Sequence, residues 1–224
     1  MVSYAIEPIG LIENRYLEKF GVPKQSGLIL NEKSALKLDP KTVDFKSLED
    51  LRVGQFLWVT FIFHETYPLS KTHVRPPRLG GNVKKSVYAT RSPFRKNNLG
   101  LSLAKVESMA LLDQGVIELC GLDTVSGTPV VDIRPYHPEN DSPWDESPKL
   151  WFEGLKSEKF KVQWETDLVK NEDEVNFIEG VLALDPRPGY HEDPDRVYHI
   201  KLIHYAIKYS VENGIVWITS WENL

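Results

Sequence analysis

From Gly54 to Tyr136 the chain is a succession of short apolar runs separated by turn residues, and this punctuation limits the fold more than any other feature. "GQFLWVTFIFH" (54–64) is a near-continuous apolar run ended by a polar pair, suited to a strand buried on both faces or to a barrel strand. "SVYA" (86–89), "LSLAKVESMALL" (101–112), "GVIELCGL" (115–122) and "TPVVDIRPY" (128–136) follow as predicted strands. Their spacing of about ten residues is that of an all-β sandwich or barrel. "YAIEPIGLIE" (4–13) supplies a further strand, and "GVPKQSG" (21–27) and "ETYPLSKTHVRPPRLGGN" (65–82) read as loops.

The composition changes after Tyr136. "HPENDSPWDESP" is acidic and proline-rich, so residues 137–150 read as a linker between a β-rich domain over 1–136 and a small α+β appendage over 151–224. The appendage contains one clear helix in "VKNEDEVNFIEGVLALDP". Val175, Ile178 and Leu182 share a stripe with Val181 beside them, Asn171 and Glu174 resemble a capping box, and Pro186 ends the element. "VYHIKLIHYAIKYSV" and "IVWITSW" predict a closing hairpin turned at Asn213–Gly214.

The formal net charge of −5 conceals a segregation. Between Lys71 and Lys105 there are nine cations and no Asp or Glu, which leaves 18 cations against 32 acids elsewhere, a net of −14. A cationic segment in an acidic remainder attracts anions, phosphates above all. The single Cys120 permits no internal disulfide and fits a reducing, cytoplasmic setting. The N-terminus has no signal-peptide pattern, and no apolar run reaches the roughly 18–20 residues of a membrane-spanning helix.

Common site motifs fail. In "HETYP" Pro68 stands where a zinc-protease helix needs its second His, and "RLGGN" lacks the Gly-Lys-Ser/Thr ending of a P-loop. No Gly-x-Gly-x-x-Gly joins a strand to a helix. His199 and His204, five apart on a predicted strand, point to opposite faces and cannot share a metal, so no metal is expected.

Taken in order, "YLEKFGVPKQSG", "FIFHE", "VRPPRLGGN", "ATRSPFR" with Asn97 and "LGLS", the segment "GLD.V.GTPVVDIRPY", and "ALDPRPGY" closely resemble the TrmO (TsaA-like) family over nearly the whole chain. These are tRNA methyltransferases acting on the exocyclic nitrogen of the threonylcarbamoyl-adenosine 3′ of the anticodon. The resemblance implies a single-sheeted β-barrel-like domain that binds S-adenosylmethionine, a homodimer with the site near its interface, and a tRNA anticodon loop as partner. It implies cofactor contacts at Pro23, Lys24, Gln25, His64, Glu65, Arg91, Leu101, Asp123, Thr124, Val125 and Ser126.

The residue types suit these roles. A guanidinium at Arg91 can hold a carboxylate bidentately, Gln25 can meet polar cofactor edges, and Glu65 or Asp123 can take ribose hydroxyls. Arg75, Arg78, Arg95 and Lys96 are candidates for loop phosphates, Asn97 for a base or backbone contact, and Arg187 and Tyr190 for RNA near the acceptor. A general base, if one acts, is His64, Glu65 or Asp132, and no pattern selects among them. The family usually reads Arg-Pro-Asn-Pro-Ile-Gly where this chain has Arg95-Lys96-Asn97-Asn98-Leu99-Gly100, so two prolines are replaced and the empty loop is expected to be more flexible. Two further function classes fit the residues: a non-catalytic S-adenosylmethionine-binding regulator and a small-molecule methyltransferase.

Overall fold

The computed structural model describes residues 2–66, 70–76, 79, 82–142, 159–169, 171–187, 191 and 193–224. The protein is mainly β, with two compact units that are both discontinuous in sequence. The first comprises residues 1–14, 24–72 and 86–148, and the second residues 15–23, 73–85 and 149–224.

In the first unit, β1 (Gly10–Glu13), β2 (Lys33–Leu38), β3 (Phe56–Ile62), β6 (Leu99–Ser108), β7 (Val116–Cys120) and β8 (Pro129–Pro135) hydrogen-bond in a ring. The order β1-β2-β7-β6-β3-β8 closes on itself, β8 returning to β1, and this closure leaves no free sheet edge in the ring. The short β4 (His73–Val74) and β5 (Lys85–Ser86) form a separate two-stranded sheet, and residues 73–85 belong to the second unit. A single helical turn, α1 (Pro138–Asp141), follows β8 within the expected linker, of which residues 143–150 lie outside the described region. Asp141 ties this turn down: its Oδ2 accepts from Trp58 Nε1 at 3.0 Å and from the His137 amide at 2.8 Å, and these bonds hold its carboxyl below the usual range.

Strict alternation fills the ring. On β3, Leu57, Val59 and Phe61 are buried while Trp58, Thr60 and Ile62 are half-buried, as the pleat requires. Opposite them on β6 stand small residues: Phe61 faces Gly100, Val59 faces Ser102 and Leu57 faces Ala104. Large against small is how a narrow ring reaches native packing density. Ile12, Leu36, Val106, Ile117, Leu119 and Val130 complete the core.

In the second unit, β9 (Lys161–Trp164), β10 (Tyr198–Leu202), β11 (Tyr205–Glu212) and β12 (Ile215–Asn223) form a sheet in the order β10-β11-β12-β9, with β9 parallel to β12. The helix α2 (Glu172–Leu182) buries Ile178, Val181 and Leu182 of the predicted stripe, together with Phe177. Two bonds link it to the sheet, Tyr205 Oη to Glu174 at 2.9 Å and Trp164 Nε1 to Glu179 at 2.9 Å. Asn171 caps the helix by accepting from Asp173 N at 3.0 Å, while Glu174 answers Tyr205 rather than returning the capping bond. Tyr16 is fully buried against Phe177, ring centroids 5.3 Å apart.

Four local expectations are corrected. The first strand begins at Gly10, because Pro8 removes a ladder donor from "YAIEPIGLIE". "SVYA" contains a 3-10 turn over Val87–Ala89. The predicted hairpin is a three-stranded meander, since Ile203 turns the chain with a φ of 61° and splits "VYHIKLIHYAIKYSV" into β10 and β11. His204 therefore lies in a turn rather than on one strand with His199. The sequence reading also omitted β2, β9 and the short β4, which lies in the predicted loop 65–82.

Gly100 is tightly dictated by the ring. A Cβ built there would lie 2.3 Å from Phe61 Cζ and 2.4 Å from Cε2. Gly100→Ala is expected to overpack the core by about 2 kcal/mol. In thermal denaturation that is a fall in Tm on the order of 4–8 °C, and an unchanged Tm would contradict this packing.

Candidate functional site

The turn after β7 collects polar groups from several elements of the first unit. In the β6–β7 ladder Lys105 faces Cys120, and continuing that register three residues beyond β7 brings Asp123 opposite Ser102. There the Ser102 hydroxyl donates to Asp123 Oδ1 in a short hydrogen bond. Ser102 is 4% exposed, while Asp123 is partly buried. Burial raises the Asp123 pKa above the ordinary aspartate value; the Ser102 bond, the backbone amides of Asp123 and Ser26, and the positive charge of Arg91 oppose that rise.

The loop 24–27 wraps this turn. The Gly27 amide donates to the Gly121 carbonyl at 2.8 Å, and Gly121 turns the chain with a φ of 84°. Arg91 Nη1 donates to Gln25 Oε1 at 2.7 Å, and Gln25 Nε2 donates to the Lys24 carbonyl at 2.5 Å. The orientation of the Gln25 amide is thereby fixed. Arg91 is exposed, so the remaining edge of its guanidinium is open to an anionic ligand.

Asn14 secures the other end of the turn. Its Nδ2 donates to the Thr124 carbonyl at 2.8 Å and to Ser34 Oγ at 3.3 Å, and its amide donates to Ser126 Oγ at 3.3 Å. The turn closes internally through Thr128 Oγ1, which donates to the Val125 carbonyl at 2.6 Å. The buried Thr124 hydroxyl has no hydrogen-bond partner among the described residues. His64, on a 3-10 turn after β3, lies beside Gly127: a Cβ built at Gly127 would be 4.0 Å from His64 Nε2.

The structure thus groups Gln25, Arg91, Asp123, Thr124, Val125, Ser126 and His64 around one turn. Lys24 is exposed beside Gln25, Glu65 is exposed next to His64, and Pro23 is buried and belongs to the second unit. Leu101 is 55% exposed, on the opposite face of β6 from Ser102. Asp132 is exposed on β8, paired with Arg134 at 3.4 Å. Arg78 and Tyr190 lie outside the described residues. Sequence reasoning missed Asn14 and Ser102, although Ser102 is legible as the polar residue on the inward series Gly100, Ser102, Ala104, Val106.

The cationic run divides between the units. In the first, Lys71, Arg91, Arg95, Lys96 and Lys105 make no ion pair with a carboxylate among the described residues. Lys71 Nζ lies 3.9 Å from the Phe94 ring centroid. Arg95 braces its own loop, donating to the Thr90 carbonyl at 2.9 Å and the Val87 carbonyl at 3.4 Å, with its guanidinium 4.9 Å from the Tyr88 ring. Lys96 and Asn97 project at the exposed tip. In the second unit Arg75 is exposed, whereas Arg187 binds Asp185 through Nε at 2.7 Å and Nη2 at 3.1 Å.

The proline replacements have a structural consequence. Asn98 stands at the second lost proline with a φ of 52°, which a pyrrolidine ring cannot adopt. Its amide donates to the Arg95 carbonyl at 3.2 Å and its carbonyl accepts from Phe63 N at 2.8 Å. Hydrogen bonds replace the restraint of proline. Asn98→Pro should therefore destabilise the protein by about 2 kcal/mol in urea unfolding, while Asn98→Gly stays within about 1 kcal/mol of the parent. A proline variant as stable as the parent would contradict this loop conformation.

Residues 11–142 match the family described as the tRNA-methyltransferase O N-terminal domain, and residues 157–224 match the TrmO C-terminal domain. The tRNA (adenine(37)-N6)-methyltransferase of Escherichia coli (strain K12) is 36% identical over 225 residues, 96% of each chain. The Homo sapiens protein of that description is 39% identical over 140 residues, 61% of this chain and 31% of the human one. A crystal structure of TrmO from Pseudomonas aeruginosa aligns with a TM-score of 0.79 at 25% identity, covering 99% of both chains.

Proposed function

The chain belongs to the TrmO family, and from that premise we propose that it is an S-adenosylmethionine-dependent tRNA (adenine-N6)-methyltransferase. We read the closed ring as the single-sheeted barrel that holds the cofactor, and the acceptor as the threonylcarbamoyl-adenosine 3′ of the anticodon. A homodimer working in the cytoplasm belongs to the same reading.

The observation that carries the reading is the convergence of an exposed guanidinium, a partly buried carboxylate and a hydrogen-bonded turn. These groups fit the cofactor's chemistry. The open edge of Arg91 suits a carboxylate bidentately. The Asp123 carboxylate suits ribose hydroxyls, and the Thr124 hydroxyl, without a partner among the described residues, is a further polar group at the turn. When bound, S-adenosylmethionine supplies a methyl group on a positively charged sulfur, which leaves as a neutral thioether.

The protein's task is then to orient two reactants and exclude water. Gln25 holds Arg91, Asn14 holds the turn, and Ser102 holds Asp123. The acceptor nitrogen forms its bond to the methyl carbon and gives up its proton. Of His64, Glu65 and Asp132, the base we favour to take it is His64, because its Nε2 lies beside Gly127 at the turn. Lys96 and Asn97 meet the RNA at the loop tip, and Arg95 shapes the loop that presents them. An RNA acceptor makes activity salt-sensitive, because bound phosphates release counterions.

The test is incubation of the protein and cofactor with tRNA that carries threonylcarbamoyl-adenosine, followed by nuclease digestion and mass spectrometry. The expected product is the N6-methylated threonylcarbamoyl-adenosine, with none from the same tRNA bearing plain adenosine. Absence of any methylated nucleoside would overturn the enzymatic reading. Equal methylation of the plain-adenosine control would overturn the assigned acceptor.

A further inference from the structure

Ser102 is anomalous for its position. Gly100, Ala104 and Val106, its neighbours on the inward face of β6, are small or apolar, and an isolated hydroxyl there carries an uncompensated desolvation cost. It finds one acceptor, Asp123 Oδ1, and the β6–β7 register dictates that encounter. A hydroxyl–carboxylate pair with one partner buried and the other partly so is no clear stability device, since an apolar pair of the same shape can be as stable. The pair therefore calls for a role at the ligand.

We propose that Ser102 is a positioning residue: its hydroxyl fixes the Asp123 carboxylate for the cofactor ribose, and cofactor capture at low pH depends on that bond. This rests on the reading of Asp123 as a ribose ligand. Four groups face the Asp123 carboxyl: Arg91 supplies the charge, β6 supplies neutral Ser102, and the backbone amides of Asp123 and Ser26 donate to it. Burial pushes the carboxyl toward its protonated form, and the Ser102 bond is the strongest influence against it. A protonated carboxyl loses one acceptor for the two ribose hydroxyls, so affinity falls as pH drops through the Asp123 titration. Removing the Ser102 donor raises that titration, so the loss begins nearer neutrality.

The experiment is calorimetric titration of the full chain with S-adenosylmethionine from acidic to neutral pH, alongside carboxyl carbon NMR of Asp123 without ligand. Ser102→Ala should bind about tenfold more weakly at neutral pH, the loss of one hydrogen bond to a charged group. Its binding and NMR midpoints should both move upward. Ser102→Cys, near-isosteric with a weak donor, should shift them less than Ser102→Ala. Asp123→Asn should bind weakly at every pH. Parent-like midpoints in both the Ala and Cys variants, with Asp123→Asn still weak, would overturn the role of Ser102 alone. Parent-like binding by Asp123→Asn would instead overturn the placement of the cofactor on this turn.

Discussion

The seam at which β1 meets β8 is the constraint on which the first unit depends. Only Gly10 and Leu11 pair there, with Val130 and Pro129, yet this short contact closes the ring. Three backbone bonds extend it: Ile9 N to the Val130 carbonyl at 2.7 Å, Ile12 N to the Thr128 carbonyl at 2.9 Å and Gly127 N to the Ile12 carbonyl at 2.7 Å. Gly10 is required because a Cβ would come within 2.3 Å of the Lys37 carbonyl oxygen. Immediately beyond the seam β1 delivers Asn14, and immediately before it the chain makes the 123–126 turn, so closing the sheet and building the site are one event.

That coupling explains how an apolar ring carries a charged site. Its interior is filled by alternation and admits polar groups at its end, Ser34 against Asn14 and Ser102 against Asp123, where β7 has ended. Arg91 approaches from the loop side and is steadied by Gln25 rather than neutralised by an ion pair. Its charge therefore remains available to a ligand, and so do those of Lys96 and Lys105 nearby in sequence. The acids outnumber the cations in the chain as a whole, but the run from Lys71 to Lys105 contains none of them.

Much of this was legible in the sequence, and the failures have physical causes. β3, β6, β7 and β8 announce themselves by dense apolar alternation, and α2 by its stripe and Asn171 cap. β2 hides because its inward series Ser34, Leu36, Leu38 opens on a serine and its outward positions include Lys33 and Lys37. β9 hides because its four residues are fixed by parallel pairing with β12, a partner distant in sequence. Ile203 is a β-branched residue in the left-handed region, which no local preference predicts. At the site, the family resemblance pointed to Gln25, Arg91 and Asp123, and their residue types suited the roles it implied. The register that joins Ser102 to Asp123, and the reach of Asn14 to Thr124 and Ser126, exist only once the ring has closed. Where the prolines are replaced, the Asn98 amide donates to the Arg95 carbonyl and the Arg95 guanidinium to the Thr90 carbonyl.

The central claim is that one turn, held between Asn14 and Ser102 and wrapped by the loop at 24–27, is where a sulfonium nucleoside binds. Amide hydrogen exchange with and without S-adenosylmethionine tests it most directly, because it maps contact without assuming a reaction. Slowed exchange concentrated in residues 24–27, around Arg91 and in 121–127 is the predicted result. Binding that leaves those amides unchanged, with protection confined to the second unit, would contradict it.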